Sequence, residues 1–183
     1  MRLRAAAPDD AAAIAAIYAP YVTASATSFE NEPPDAFAMA DRIAAGGDLY
    51  PWIVAEDEIG NLAGYAYASA FRPRPAYRYT VETSVYLSHN RVGAGLGKRL
   101  YASLIATLEA QGFVQAIGAI TLPNPASMRL HQGLGFVEAG VYRRVGYKLG
   151  GWHDVGLWQR GLAAPADPPQ EPKPLWQQPL ILV

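Results

Sequence analysis

Hydrophobic and polar residues alternate most regularly between residues 81 and 87. Val81 and Val85 fall on one side of a predicted strand and Glu82 on the other, because successive strand side chains face opposite ways. A glycine-rich turn, 93–97, comes shortly after this strand. Leucines then recur every four residues in a predicted helix, 96–112, which a glycine is expected to end. The pattern predicts a strand, a short loop and a glycine turn that opens a helix.

The same patterns predict the remaining elements. Short apolar or alternating runs predict strands, and apolar residues at three- and four-residue spacing predict helices. The predicted strands are 2–5, 52–55, 62–68, 116–122, 137–147 and 155–158, and further helices are predicted to start at 8–10, 33–35 and 123–127. Strands that alternate with helices and end in a hairpin predict an α/β fold with a mixed sheet.

The end of the chain differs in composition from the rest. Prolines dominate residues 163–176, and the last residues, Leu180 to Val183, are apolar. We therefore predict one domain, 1–162, followed by an extended tail, 163–183, outside the core. The apolar end of the tail is expected to pack against either this chain or a neighbour.

Composition limits the possible functions. The 183 residues are 51% hydrophobic and 17% charged, with a formal net charge of −1. This balance predicts a globular protein with no electrostatic reason to bind nucleic acid or a membrane. The absence of cysteine excludes disulfides, a thiolate metal site and a cysteine nucleophile. No run spans a bilayer, so we expect a cytoplasmic enzyme or binding module. His89, His131 and His153 lack metal-ligand spacing, which predicts no metal.

The glycine turn is the strongest candidate for ligand binding. Backbone N–H groups at a helix start that side chains leave uncovered form an anion site, and phosphate is its commonest ligand. The spacing from Gly93 to Gly97 does not match a dinucleotide fingerprint. A P-loop is also excluded, because Lys98 is followed by Arg99 rather than by Ser or Thr. The alternative is that these glycines only shape a tight turn.

Other motifs decide between these two interpretations. The strand, the glycine turn, Asn124-Pro125-Ala126-Ser127, His131 and Leu134-Gly135-Phe136 together resemble the GNAT N-acetyltransferases. Further segments resemble the phosphinothricin/methionine sulfoximine acetyltransferase group within that superfamily: 17–21, 29–30, 71–82 and 150–156. The resemblance covers the chain up to the proline-rich tail. It implies a mostly antiparallel, twisted sheet flanked by helices.

The resemblance also implies a cosubstrate, acetyl-CoA, and a homodimer. The backbone of the strand would pair with pantetheine, and the glycine turn would hold the pyrophosphate. The implied cofactor-binding residues are Val85, Tyr86, Leu87, Gly93, Ala94, Gly95, Leu96, Gly97, Lys98, Asn124 and Ser127. One position departs from the family pattern, because Val92 stands where a Gln or Arg usually begins the turn. A side-chain contact to the pyrophosphate is therefore not expected there.

Glu82 is the first candidate for the catalytic base. An α-amine has a pKa of about 8, so attack on a thioester at neutral pH benefits from a base. Glu82 lies on the strand face opposite Val81 and Val85, just before the glycine turn, and the resemblance implies a glutamate at this position that acts through water. The alternative is a solvated carboxylate or an ion pair with an arginine of the segment 71–78.

His131 is the second catalytic candidate. It stands where many relatives have a tyrosine that protonates the leaving thiolate, and a histidine titrates near pH 7. The alternative is a packed or surface histidine. Asn124 likewise has two interpretations, because an asparagine before Pro125 is typical of a helix N-cap.

The segment 71–78 is rich in arginine and proline, and a guanidinium binds a carboxylate in a fork geometry. The implied acceptor-binding residues are Phe29, Glu30, Arg72, Arg74, Tyr77, Thr80 and Glu82. Arg78 is a third candidate, and at least one of the three arginines is expected to be only a solvated charge. Trp152, His153 and Asp154 match the family but are expected to serve sheet packing and hairpin geometry.

The sequence supports three functional hypotheses that can be tested. The first is acetyl-CoA-dependent acetylation of the α-amine of a small amino-acid-like acceptor of the phosphinothricin, methionine sulfoximine or methionine sulfone type. It would proceed by direct attack on the thioester, since no cysteine can carry an acyl group. The second is acetylation of a peptide N-terminus or a polyamine. The third is a non-catalytic acyl-CoA-binding domain.

Overall fold

The computed structural model describes residues 1–91, 93 and 95–183. The two positions outside this description, Val92 and Ala94, were predicted to affect pyrophosphate binding. Over the described residues the elements are β1 (Arg2–Ala5), α1 (Ala11–Thr23), α2 (Ala36–Gly46), β2 (Trp52–Glu56), β3 (Leu62–Ala70), β4 (Thr80–Leu87), α3 (Leu96–Gln111), β5 (Gln115–Leu122), α4 (Pro125–Gly133), β6 (Val137–Lys148) and β7 (Gly151–Gly161).

The strands form one sheet in the order β1-β2-β3-β4-β5-β7-β6. Neighbouring strands are antiparallel, with one exception, because β4 and β5 run parallel. The exception follows from the chain path, since α3 carries the chain from the end of β4 back to the start of β5. The prediction of a mixed, mostly antiparallel sheet flanked by helices is confirmed.

Helices cover both faces of the sheet. Val81 of β4 packs with Leu100 and Leu104 of α3 in one core, and α1 and α2 cover the opposite face around Tyr65 of β3. Because side chains alternate along β4, Val81 faces α3 and Glu82 faces the opposite side of the sheet. Among the described residues, no helix has both the length and the apolar character needed to cross a membrane.

The last hairpin is longer than the sequence pattern predicted. The final strand was predicted over residues 155–158, but β7 extends from Gly151 to Gly161. Its first half carries polar residues that conceal the apolar alternation, such as His153 and Asp154. The strand is long because it pairs on both sides, with β5 and with β6.

The tail contains no helix or strand, yet from Glu171 onward it contacts the domain. The Lys173 and Leu175 amides donate to the carbonyls of Gln111 and Asp48. Leu180 packs against the core beneath α3, and the Ile181 amide donates to Thr107 Oγ1 over 2.9 Å. The apolar end therefore packs against this chain, which was one of the two predicted possibilities.

Candidate active site

A cleft opens between β4 and β5. The two parallel strands pair only from Thr80 to Glu82 on β4 and from Gln115 to Ile117 on β5, although β4 continues to Leu87 and β5 to Leu122. Beyond Glu82 the strands diverge, and backbone groups on the β5 side of β4 lose their partner strand. An extended ligand with amide groups can pair with such an edge.

Two adjoining cavities occupy this cleft. The inner one, about 50 Å³, reaches from β4 across to α4 and includes Thr83, Asn124, Ser127 and His131. The outer one, about 500 Å³, continues along the strand to the glycine turn. It brings together most of the predicted cofactor-binding residues: Val85, Tyr86, Leu87, Gly93, Gly95, Gly97, Lys98, Asn124 and Ser127. Together these cavities form a channel from the fork of the strands to the start of α3.

The glycine turn leaves the start of α3 open. Gly95 is the N-cap residue with a φ of 76°, and no side chain caps the helix. This left-handed conformation costs glycine little and other residues more. Gly97 packs closely against Leu87, since an added Cβ would lie 3.3 Å from that side chain. The uncovered N–H groups of the first turn fit an anionic group such as a pyrophosphate. Leu96 itself is buried, so only its backbone is available.

Tyr21 is a cleft residue that the sequence interpretation missed. Its hydroxyl donates to the Leu87 carbonyl over 2.7 Å, so that carbonyl is already satisfied without a ligand. Tyr21 and Thr27 also line the outer cavity. Tyr21 belongs to the segment 17–21 that carries the family resemblance, but nothing in the sequence indicated a contact with β4.

Glu82 is half-buried at the point where the strands separate. Burial raises the pKa of its carboxyl group, and the positive charge of Arg72 partly opposes this shift. Arg78, another proposed ion-pair partner, instead bonds Glu171 of the tail through Nε over 2.8 Å. A carboxylate with a raised pKa accepts a proton more readily than an exposed one.

His131 is buried in a hydrogen-bonded chain on the α3 side of the sheet. Its Nδ1 lies 2.8 Å from the Ser127 carbonyl and must donate to it, which leaves Nε2 to accept from Tyr101 Oη over 3.0 Å. Tyr101 Oη in turn lies 2.7 Å from Thr83 Oγ1. Burial lowers the pKa of His131, so its imidazole is neutral at pH 7 rather than near its titration point. Sequence reasoning missed Tyr101 and Thr83, because both continue apolar stripes.

Asn124 caps α4, as the Asn-Pro pair predicted. Its Oδ1 accepts from the Ser127 amide over 3.1 Å, with Pro125 in the first turn. Asn124 also lines both cavities of the cleft. The cap uses the side-chain oxygen and leaves the amide nitrogen available to a ligand.

The predicted acceptor-binding residues divide between two places. Arg72, Arg74 and Tyr77 line one open cavity of about 530 Å³ next to the start of β4, where Thr80 is half-buried. Glu30 is elsewhere, in a paired contact with Arg42 at 2.8 Å to each oxygen. Its Oε1 also accepts from the Tyr18 hydroxyl, so this carboxylate already has three donors.

The loop between α1 and α2 is fastened to the last hairpin. Phe29 lies over Gly146 of β6, where an added Cβ would overlap its ring. The buried ammonium group of Lys148 donates to the carbonyls of Val22 and Ser28, each over 2.6 Å. This lysine was missed, because nothing in the pattern of β6 marks a buried charge.

The segment after the β6–β7 turn makes local hydrogen bonds within the last hairpin. Asp154 Oδ1 accepts from the Arg144 amide over 2.7 Å, and His153 Nε2 lies 3.0 Å from the Lys148 carbonyl oxygen. Trp152 is 63% exposed. In the part of the chain described, no three metal-binding side chains form a group.

The geometry defines a class of protein that binds an elongated, partly peptide-like ligand with an anionic group at one end. A match to a family model identifies the family within this class. Residues 3–157 match the model described as the acetyltransferase (GNAT) domain. The chain belongs to the GNAT acetyltransferase family.

Relatives with stated activities cover nearly the whole chain. The chain is 44% identical over 177 residues to the phosphinothricin N-acetyltransferase of Streptomyces viridochromogenes, covering 97% of this chain and 96% of that protein. It is 38% identical over 164 residues to the L-methionine sulfoximine/L-methionine sulfone acetyltransferase of Pseudomonas paraeruginosa, covering 87% and 94%. The first match extends into the tail, which the sequence interpretation had left outside the resemblance.

A solved structure supports the same relationship. The fold matches a GNAT superfamily phosphinothricin acetyltransferase from Sinorhizobium meliloti, solved in complex with AcCoA, with a TM-score of 0.85 and 42% identity over 88% of each chain. The architecture is therefore shared over most of both proteins.

Proposed function

We propose that the protein transfers the acetyl group of acetyl-CoA to the α-amine of a small amino-acid-like acceptor. The relatives act, by their names, on phosphinothricin and on methionine sulfoximine or sulfone. The observation that carries the proposal is the fork at Glu82. A carboxylate with a raised pKa lies there, next to Thr83 of the inner cavity, and the cleft continues from that cavity to the uncapped start of α3.

In the proposed reaction, Glu82 receives the proton of the ammonium group, directly or through a water molecule. The neutral amine then attacks the thioester carbon, the C–N bond forms and the C–S bond breaks. The products are the N-acetylated amino acid and coenzyme A. With no cysteine in the chain, transfer is direct.

We assign the remaining roles by the family resemblance. Gly93, Gly95, Leu96, Gly97 and Lys98 bind the pyrophosphate through the backbone, and Asn124 binds the pantetheine arm. Arg72 and Arg74 bind the acceptor carboxylate. His131 protonates the leaving thiolate only if one of its two ring hydrogen bonds opens, because both nitrogens are engaged.

The product identifies the reaction. Purified protein is incubated with acetyl-CoA and methionine sulfone or phosphinothricin, and the product is analysed by mass spectrometry. The proposal predicts one added acetyl group on the α-nitrogen. Acetylation confined to peptide N-termini or polyamines, or binding of acetyl-CoA with no turnover of any amine, rejects it.

We also infer that the protein is a homodimer formed through the last hairpin. β6 is the edge strand of the sheet, and its hairpin exposes several large apolar side chains: Val137, Tyr142, Val145, Tyr147, Leu149 and Trp152. An exposed apolar edge of this kind favours a protein partner. In a two-fold symmetric dimer, the last hairpin of one copy would pack against the same hairpin of the other.

We further infer that residues 1–162 form the catalytic domain and that residues 163–183 brace it. Support comes from Gln111, whose side-chain amide donates to the carbonyls of Leu49 and Lys173. The tail thereby joins the end of α3 to the loop before β2.

A further inference from the structure

The tail reaches the loop that carries the predicted acceptor-binding arginines. This loop, residues 71–79, joins β3 to β4, and its residues Arg72, Arg74 and Tyr77 line the cavity beside the start of β4. Glu171 of the tail contacts the last two residues of the same loop. The bracing of α3 proposed above for the tail does not explain this contact.

The Glu171 carboxylate accepts from two consecutive residues of the loop. Arg78 Nε donates to Oε1 over 2.8 Å and to Oε2 over 3.0 Å, and Arg78 Nη2 lies 2.8 Å from Oε1. The Tyr79 hydroxyl donates to Oε1 over 3.0 Å. The Arg78 guanidinium also lies over the Tyr79 ring, 4.4 Å from its centroid. Three donor groups on one carboxylate form a network rather than a single surface ion pair.

Backbone hydrogen bonds fix both sides of this contact. The Tyr79 carbonyl accepts from the Val114 amide over 2.8 Å, just before β5. Two residues after Glu171, the Lys173 amide donates to the Gln111 carbonyl over 2.7 Å. The Gln111 side-chain amide donates in return to the Lys173 carbonyl over 2.9 Å. The side chain of Glu171 therefore extends from a segment that is already docked on the domain.

From Arg78 the contacts continue into the loop. Arg78 Nη1 and the Arg78 amide both donate to the Pro75 carbonyl, over 3.1 and 3.2 Å. The Tyr77 amide donates to the Arg74 carbonyl over 3.0 Å, which closes a tight turn. The Tyr77 ring packs edge to face on Phe71 at 5.6 Å. Successive contacts thus join the carboxylate of the tail to residues that line the cavity.

The three arginines of the loop have different roles in this arrangement. Arg78 is bound by Glu171, whereas Arg72 and Arg74 line the cavity. The Glu171 carboxylate cannot itself attract the carboxylate of an acceptor, because like charges repel. Any benefit to acceptor binding must come from the order that it imposes on the loop, since a loop that is already ordered loses less entropy when it binds.

We propose that Glu171 is a positioning residue for the acceptor. It holds residues 71–79 in the conformation that presents Arg72 and Arg74 to the acceptor carboxylate. The inference rests on the proposed function and gives the tail a part in acceptor binding. Acetyl-CoA binding does not depend on this contact, because the described residues that line the cleft between β4 and β5 come from neither the loop nor the tail.

Glu171→Gln tests the inference, because glutamine keeps an oxygen for Tyr79 and loses the charge. It is expected to raise the KM for methionine sulfone about threefold, the effect of an exposed ion-pair network, with kcat and the KM for acetyl-CoA unchanged. Electrostatics alone predicts the opposite sign, since removal of a negative charge favours the binding of a carboxylate. An unchanged or lowered KM for methionine sulfone overturns the inference. Glu58→Gln, in the exposed turn between β2 and β3, is the control and is expected to change neither constant.

A double-mutant cycle tests whether Glu171 acts through Arg78. Arg78→Gln removes the guanidinium that contacts both Glu171 and the Pro75 carbonyl. The double variant is expected to have the same KM for methionine sulfone as Arg78→Gln alone, because the substitution of Glu171 then has no ion pair left to break. If the two substitutions multiply each other's effect on this KM, Glu171 acts independently of Arg78 and the inference is wrong.

Leu180→Ala separates positioning from a general loosening of the tail. Leu180 packs against the core beneath α3, away from the contact of Glu171 with the loop. Leu180→Ala is expected to lower the melting temperature and leave the KM for methionine sulfone unchanged, whereas Glu171→Gln is expected to change the KM more than the melting temperature. An equal rise of this KM in both variants reduces the tail to a structural role and overturns the inference.

Amide hydrogen exchange of the full chain separates the two claims, because it requires no turnover. Exchange in residues 71–79 is expected to be about threefold faster in Glu171→Gln than in the wild type and in Glu58→Gln. If exchange changes in this way but the wild type acetylates no amine, the proposed function fails and the role in acceptor binding fails with it. If the wild type acetylates amino acids while Glu171→Gln leaves both exchange and KM unchanged, only the positioning role is wrong.

Discussion

Glu82 of β4 lies directly opposite Ser69 of β3, in the last register position at which β4 also pairs with β5. On one side of Glu82 the strands open into the cleft that ends at the glycine turn. On the other side Ser69 borders a cavity under α2. The carboxylate therefore lies where β4 changes from a strand paired on both sides to the open edge of the cleft.

The protonation state of His131 is the first prediction. Burial lowers its pKa below the ordinary value of 6.5, so the ring is expected to be neutral at pH 7 with its proton on Nδ1. Since the folded-state pKa is lowered, its contribution to stability is present above the unfolded value and lost as pH falls through the folded value. A ¹⁵N NMR titration measures both features, and a midpoint above 6.5 would contradict them.

Lys148 is predicted to hold the loop between α1 and α2. Lys148→Met removes two hydrogen bonds from a buried ammonium group to the Val22 and Ser28 carbonyls. The expected loss is about 2 kcal/mol of unfolding free energy, with faster amide exchange in residues 24–34. Urea denaturation and hydrogen exchange measure these effects. The exposed Lys173 provides the control Lys173→Met. If both variants have the same unfolding free energy and the same amide exchange, Lys148 does not hold the loop.

The tail is predicted to contribute to stability through Leu180. This side chain is partly buried against the core, so Leu180→Ala is expected to cost about 1 kcal/mol. Trp176 is 70% exposed, and Trp176→Ala is expected to stay within about 0.5 kcal/mol of the wild type. Thermal unfolding of the two variants tests this difference. If the tail makes no stabilising contact with the domain, the two variants will have equal melting temperatures.

Association through the last hairpin is tested with Tyr147 and Trp152. Their rings pack edge to face at 5.3 Å on the exposed edge of the sheet, and both are more than 60% exposed. A double replacement by serine is expected to convert a dimer into a monomer in light scattering. The exposed Phe37 of α2, replaced by serine, is the control. A monomeric wild type would reject the dimer.

The sequence predicted those features that depend on local spacing. The alternation from Val81 to Leu87 gave the two faces of β4, Gly112 does end α3, and Asn124 does cap α4. Each of these is decided by neighbours within a few residues. The strand boundaries of β7 were less accurate, because one of its two pairing partners, β5, lies far away in the sequence.

Contacts between distant segments could not be predicted. The divergence of β4 from β5 depends on how the whole sheet twists, and the Glu30–Arg42 pair depends on how α2 packs. Tyr65 illustrates the limit, since its place in a predicted strand gave no sign of the cavity that it lines. Such cavities form only when three or four elements come together.

The raised pKa of Glu82 also makes the stability of the fold depend on pH. Burial raises its pKa above the ordinary 4.5, so its favourable contribution is present below the unfolded pKa and lost as pH rises through the folded value. At neutral pH the buried charge therefore costs stability. Glu82→Gln is expected to melt at a higher temperature than the wild type at pH 7, with a smaller difference at pH 4.

Release of coenzyme A by the wild type and by Glu82→Gln tests the central claim most directly. The thiol is measured from pH 5 to 9 with acetyl-CoA and methionine sulfone or phosphinothricin. The wild type is expected to lose kcat/KM below the raised pKa of Glu82, and Glu82→Gln to be lower by about 10²–10⁴-fold at neutral pH with acetyl-CoA binding retained. Equal rates for both proteins across this range would contradict the assignment of Glu82 as the base.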